Sequence, residues 1–216
     1  MMRKVTTALV LVLAGPALAE PLVLAALGDS LTQGYGLPAE DGFVPQLQNW
    51  LDQNGAEVTV INAGVSGDTT AGGLSRVAWT MTPEVDGMIV TLGGNDLLRG
   101  IDPSVSRANL DGILKAARDA EVEVLLVGMT APGNFGPEYK TSFDSIYPDL
   151  AAQYDATLMG SFFDGLSENG KQPDLAQARS FFQADGVHPN AQGVTRIVDA
   201  LGPKVLTLVD QINENR

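Results

Sequence analysis

Ser30 lies in the segment LGDSLTQGYG, Leu27 to Gly36, where an apolar run stops at Gly28 and gives way to an acid, a serine and two further glycines. The only histidine in the chain, His188, lies in ADGVHPN, three residues after Asp185. A hydroxyl, an imidazole and a carboxylate are the parts of a nucleophilic acyl-transfer site. The imidazole takes the hydroxyl proton and passes it to the leaving group, and the carboxylate fixes the imidazole tautomer. An Asp three residues before a His in one loop can bend back onto one ring nitrogen and leave the other facing outward. Taken singly, each residue also has an ordinary role: His188 as a solvated loop residue ahead of a helix, Asp185 as a turn former, Ser30 as part of a strand-to-loop turn.

Such parts need a frame that brings distant loops together. Four apolar runs rich in Val, Ile and Leu recur along the chain: Leu22 to Leu27, Val58 to Ile61, Met88 to Leu92 and Val122 to Val127. Ala156 to Met159 is a weaker fifth. They read as strands buried on both faces. Helical patterns lie between and after them. Phe43, Val44, Leu47, Trp50 and Leu51 make one apolar face; Leu110, Ile113, Leu114 and Ala117 make a second; Val194, Ile197, Val198 and Leu201 make a third. The third resumes at Val205, Leu208, Val209 and Ile212 after Gly202-Pro203, where a break or kink is expected. The alternation predicts one α/β domain, from about Glu20 to Arg216, with a mostly parallel sheet covered by helices on both faces.

In such a sheet ligands bind beyond the carboxyl ends of the strands. The segments there are GDSLTQG, NAGVSGDTT, GGNDLLRG and GMTAPGNFGPEY, all rich in glycine and small polar residues. The opposite loops, DQNGAE, TPEVD and DAEVE, are plainer. Chemistry is therefore expected at one edge of the sheet.

Composition narrows the classes. The formal net charge of the 216-residue chain is −13. Arg3 and Lys4, the run Val5 to Leu13 and the small residues Ala17-Leu18-Ala19 have the layout of a secretory signal peptide over residues 1–19. Cleavage there would remove both cations and leave −15 on residues 20–216. A surface that acidic repels nucleic acid and anionic lipid headgroups. The leader run is too short to span a bilayer, which takes ~20 residues, so no stable membrane insertion is expected. There is no cysteine, which excludes thiol nucleophiles and Cys–zinc sites. The carboxylates show neither calcium-loop spacing nor clustered histidines, so no metal is expected. Gly34, Gly36 and Ala39 fit a relaxed dinucleotide fingerprint only formally, because the stretch does not directly follow a strand and holds Pro38. The expected enzyme is cofactor-free. No G-x-S-x-G nucleophile elbow is present.

The blocks GDSL, SGDTT, GGND and DGVHP, in this order and at these separations, resemble the GDSL/SGNH hydrolase superfamily. LGDSLTQGYGL, LGGNDLLRG and NFGPEY are similar to its bacterial periplasmic thioesterase, lysophospholipase and arylesterase subgroup. The resemblance spans essentially all of residues 20–216. It implies a three-layer α/β/α fold with a flavodoxin-like parallel sheet of about five strands, order 2-1-3-4-5. It implies Ser30 as nucleophile, His188 as general base and then acid, and Asp185 as the group that orients His188. It also implies an oxyanion hole from the N–H groups of Ser30 and Gly67 and the Asn95 amide. Such donors suit the charge that develops on a tetrahedral intermediate, each worth about 3 kcal/mol of barrier. Leu97, Leu98 and Ile101 would border an acyl pocket, with Pro132, Phe135 and Tyr139 as another wall. Asp29, Asp68 and Asp96 are expected to hold local backbone.

The expected protein is an exported, monomeric serine esterase acting on small ester or thioester substrates, lipid-like ones included, in the periplasm or outside the cell. A carbohydrate O-acetylesterase would use the same triad with a smaller pocket. A non-catalytic acyl- or glycan-binding protein would have no need of Ser30, Asp185 and His188 together.

Overall fold

The structure is a computed structural model that describes residues 21–167 and 178–216. The expected leader, residues 1–19, lies outside the described residues. Five strands form one parallel sheet: β1 (Leu22–Gly28), β2 (Val58–Gly64), β3 (Gly87–Thr91), β4 (Glu123–Val127) and β5 (Thr157–Met159). Their order is β2-β1-β3-β4-β5, as the resemblance implied. Leu24, Leu27, Met88, Ile89, Leu125 and Leu126 are fully buried, which is why these runs show no polar alternation.

The register aligns the strand ends. Gly28 pairs with Gly64 and with Thr91, Thr91 with Val127, and Val127 with Met159. Every connection after a strand therefore leaves from one edge. β1 and β3 are neighbours whose connections diverge, so the crevice between their ends is the topological switch point.

The helices are α1 (Ser30–Gln33), α2 (Phe43–Gln53), α3 (Thr70–Thr80), α4 (Gly94–Leu98), α5 (Pro103–Asp119), α6 (Pro137–Asp144), α7 (Ile146–Tyr154) and α8 (Ala191–Asn215). α2 and α8 pack together over one face of the sheet, while α3, α5 and α7 cover the other. α5 starts where Asp102 accepts from the Ser104 N–H at 2.8 Å, with Pro103 as first helical residue. α8 starts where Asn190 accepts from the Gly193 N–H at 3.0 Å. Pro189 precedes that cap and forms an antiparallel bridge with Phe182.

The break expected at Gly202-Pro203 does not occur: α8 runs through Pro203. Proline removes one helical hydrogen bond, but the tertiary packing of this helix is extensive. Val205, Leu208 and Ile212 beyond the proline are as buried as Ile197 and Leu201 before it. Gly202 also lets the Trp50 ring lie against the helix backbone, where a Cβ would stand.

β2 is an edge strand, and α2 closes part of that edge. The Val60 N–H donates to Gln48 Oε1 and Gln48 Nε2 donates to the Val58 carbonyl, both at 2.8 Å. Among the described residues no helix is long and apolar enough to cross a membrane.

Candidate active site

β1 ends at Gly28 and the chain turns at once. Asp29 caps α1, its Oδ1 accepting from the Leu31 N–H at 3.0 Å. Ser30 is the first residue of this single-turn helix, which closes at Gly34 in the left-handed region (φ +86°). The turn displays the Ser30 hydroxyl at the sheet edge.

The partner arrives from the other end of the chain. Asp185 Oδ1 accepts from the N–H groups of Val187 at 2.9 Å and His188 at 3.0 Å, folding the loop onto itself. Asp185 Oδ2 lies 2.7 Å from His188 Nδ1, and His188 Nε2 lies 2.8 Å from Ser30 Oγ. The hydrogen bond from His188, then the two backbone N–H groups, lower the Asp185 carboxyl from 3.8 to about 2. It is therefore ionised at any working pH. With Nδ1 carrying the proton, Nε2 presents its lone pair to the serine hydroxyl, the geometry a general base requires.

Asn95 enters from α4. Gly93 caps this helix at φ +115°, where a Cβ would be strained and would collide with the Tyr147 hydroxyl. That hydroxyl donates to the Leu92 carbonyl at 2.9 Å and fixes the turn from behind. Asn95 Nδ2 donates to Asp29 Oδ2 at 3.2 Å. One amide hydrogen is thereby committed and the other remains available at the mouth of the crevice. Asp29 is 1% exposed, and its burial raises its carboxyl from 3.8 to about 6 against the pull of the Leu31 and Asn95 hydrogen bonds.

Gly67 stands exposed at φ +84° on the loop after β2. Its carbonyl accepts from Arg99 Nη2 at 2.8 Å, which ties this loop to the end of α4. Asp96 in α4 makes a buried tie to the starts of α3 and α5, accepting from Thr70 N (2.9 Å), Thr70 Oγ1 (2.6 Å) and Ser106 Oγ (2.8 Å). Asp68 differs from expectation. Its carboxylate bonds the Arg76 guanidinium at 2.6 Å rather than nearby backbone. Arg76 in turn donates to the carbonyls of Ala63 and Gly28 at 2.7 Å, lacing the ends of β2 and β1 together. The eight-residue gap from loop to helix hides this pair from a reading of local turns.

A cavity of about 310 Å³ opens beside Ser30, Asn95 and His188. Leu97, Leu98, Pro132 and Phe135 line it as expected. Ile101 and Tyr139 do not. The Tyr139 hydroxyl donates to the Ile101 carbonyl at 2.9 Å, so this pair braces the wall from behind. Met129, Ser161, Phe163 and Val187 also line it, and the sequence reading did not place them there. Ser161 and Phe163 follow β5, and extending the strand-end rule to the weakest strand finds them. Among the described residues no group of three or more His, Asp or Glu side chains comes together to hold a metal ion.

Comparison with known proteins gives a consistent result. Residues 26–196 match the model of the GDSL-like Lipase/Acylhydrolase family. The chain is 36% identical over 187 residues to Esterase TesA of Pseudomonas aeruginosa, covering 86% of this chain and 89% of that protein. It is 34% identical over 185 residues to Thioesterase 1/protease 1/lysophospholipase L1 of Escherichia coli (strain K12), covering 85% and 83%. Among solved structures, the SGNH-hydrolase family esterase AlinE4 superposes with a TM-score of 0.69 at 42% identity, covering 88% of this chain and 98% of that one.

Proposed function

Since the chain belongs to the GDSL-like lipase/acylhydrolase family and is an ester hydrolase, we propose that it works through an acyl-enzyme on Ser30, with His188 as base and acid and Asp185 as its orienting group. The observation that carries this reading is the unbroken line from Asp185 Oδ2 through the imidazole to Ser30 Oγ, at 2.7 and 2.8 Å.

Ser30 Oγ attacks the ester carbonyl as its proton passes to His188 Nε2. The tetrahedral intermediate places negative charge on the former carbonyl oxygen, which the N–H groups of Ser30 and Gly67 and the Asn95 amide receive. Collapse breaks the bond to the leaving oxygen or sulfur, which takes the proton from His188. Water then attacks the acyl-serine with His188 as base, and the acid departs with Ser30 restored. The imidazolium formed in each half faces the ionised Asp185.

The cavity supports acyl groups longer than acetyl. Its volume is that of a small-molecule site, and Leu97, Met129, Pro132, Phe135 and Phe163 offer a methylene chain apolar surface worth ~0.8 kcal/mol per CH₂. Aryl and alkyl esters, acyl thioesters and lysophospholipids share that chemistry. The leader-like residues 1–19 support export, and no part of the proposed cycle needs a second chain. The test is hydrolysis of p-nitrophenyl esters from acetyl to palmitoyl by wild type and Ser30→Ala. The reading expects a loss of roughly 10³-fold or more in the variant and a preference beyond acetyl. Equal rates in the two proteins would refute the nucleophile. A sharp maximum at acetyl would favour the carbohydrate O-acetylesterase.

A further inference from the structure

We propose that Tyr35 is a positioning residue for this reaction, holding the His188 ring in line with Ser30 and offering its π face to the imidazolium. The inference rests on the roles given to Ser30 and His188 above. The Tyr35 ring centroid lies 4.7 Å from that of His188, with the ring planes tilted by 39°. The contact comes from a side chain that is 53% exposed, so burial of Tyr35 in the core does not account for its place.

The imidazole is held in its own plane by two bonds, one from each nitrogen, to Asp185 and to Ser30. Neither sterically blocks swings of the ring about its Cβ–Cγ bond, the torsion that carries both nitrogens out of line. A ring packed on one imidazole face does. It also faces the group that becomes a cation in each half of the cycle, and an aromatic face attracts such a cation.

The backbone shows how this contact is kept. The Tyr35 N–H donates to the Ser30 carbonyl at 3.1 Å, so the aromatic ring and the nucleophile hang from the same turn. Gln183 joins that turn to the histidine loop. Its side-chain amide donates to the Tyr35 carbonyl at 2.8 Å and to the Pro189 carbonyl at 3.0 Å, and its backbone N–H donates to the His188 carbonyl at 2.7 Å. Gly36, at φ +76°, leaves room for this amide, since a Cβ there would collide with the Gln183 side-chain oxygen. One glutamine thus ties the two segments together, through a bond to Tyr35 that spans 148 residues of chain. The Tyr35 hydroxyl takes no part, so an aromatic ring suffices.

The experiment compares kcat, KM and thermal melting of wild type, Tyr35→Phe, Tyr35→Leu and Gln183→Glu on one p-nitrophenyl ester, with Ser30→Ala as the blank. Tyr35→Phe is expected to keep kcat within about twofold. Tyr35→Leu is expected to lose roughly 5- to 30-fold in kcat, with KM and melting temperature unchanged. Gln183→Glu, which keeps the ring but loses both donated bonds, should fall in kcat in the same sense. Wild-type kcat in Tyr35→Leu, a loss confined to KM, or an equal loss in Tyr35→Phe would overturn the role of Tyr35. A wild type no faster than Ser30→Ala would instead overturn the triad, and this inference with it.

Discussion

Asp29 accepts a hydrogen bond from the Asn95 amide at 3.2 Å, so a buried carboxylate beside Ser30 holds a side chain that belongs to another strand's loop. The arrangement has an energetic cost. Burial raises the Asp29 carboxyl from 3.8 to about 6, so the folded state binds its proton more tightly than the unfolded chain does. Stability therefore falls as pH rises from about 4 to about 6, by about 3 kcal/mol in all, and stays lower above that. Asp29→Asn should melt higher than wild type at pH 8, and the difference should vanish below pH 4. The same variant should lose at least about tenfold in kcat, because two amide NH₂ groups cannot face each other and Asn95 must turn. Thermal melts across pH, set beside kcat, check both halves.

Asp185 has the opposite sign. Its carboxyl is lowered to about 2 by His188 and two backbone N–H groups. Its contribution to stability is present above about pH 4 and disappears as pH falls through about 2. Asp185→Asn can still accept the Val187 and His188 N–H bonds through its oxygen, but would turn an amide donor to Nδ1. The proton then belongs on Nε2, which can no longer receive one from Ser30. A loss of about 10³- to 10⁴-fold in kcat with a near-normal melt is expected from steady-state kinetics.

Asn95→Ala removes the side-chain donor proposed for the developing oxyanion. The expected loss is about 10²- to 10³-fold in kcat with KM little changed. An effect confined to KM would place Asn95 in ground-state binding.

Leu98 is 65% exposed at the rim of the cavity and can be altered without disturbing the core. Leu98→Asp should raise KM for octanoyl esters by roughly tenfold relative to acetyl esters, because only the longer chain reaches apolar surface at the rim. The ratio of the two KM values in wild type and variant is the readout.

Arg76→Met would leave the Asp68 carboxylate and the Ala63 and Gly28 carbonyls without their shared donor. The cost should be about 2–4 kcal/mol, read as a lower denaturant midpoint. Neither this group nor Asp68 reaches the cavity lining, so residual folded enzyme should keep its chain-length profile.

What the amino-acid sequence revealed depended on burial. Strands covered on both faces, such as Met88 to Val90 and Leu125 to Val127, announce themselves as unbroken apolar runs. β2 runs three residues beyond Ile61, through Asn62 to Gly64, because an edge strand can end in polar residues that apolarity does not mark. α3 is harder to read, since Gly72 and Gly73 weaken its stripe. In the site, Ser30, Asp185 and His188 were legible as residue types and blocks, and the structure brings them within hydrogen-bond reach. Ile101 was misplaced because adjacency in α4's loop does not fix direction, and its backbone is taken up by Tyr139. Tyr35, Arg76 and Gln183 act across gaps that no local pattern spans.

Gln48 gives the sheet a boundary. A parallel sheet grows by accepting another strand at either edge. Here a glutamine from α2 already occupies backbone groups of β2, and β5 at the far edge is only three residues long. Neither edge offers a ladder long enough for a second molecule to zip onto. A second copy meeting either edge of the folded sheet therefore finds little free backbone to pair with, so the intact fold is guarded against growth by strand addition.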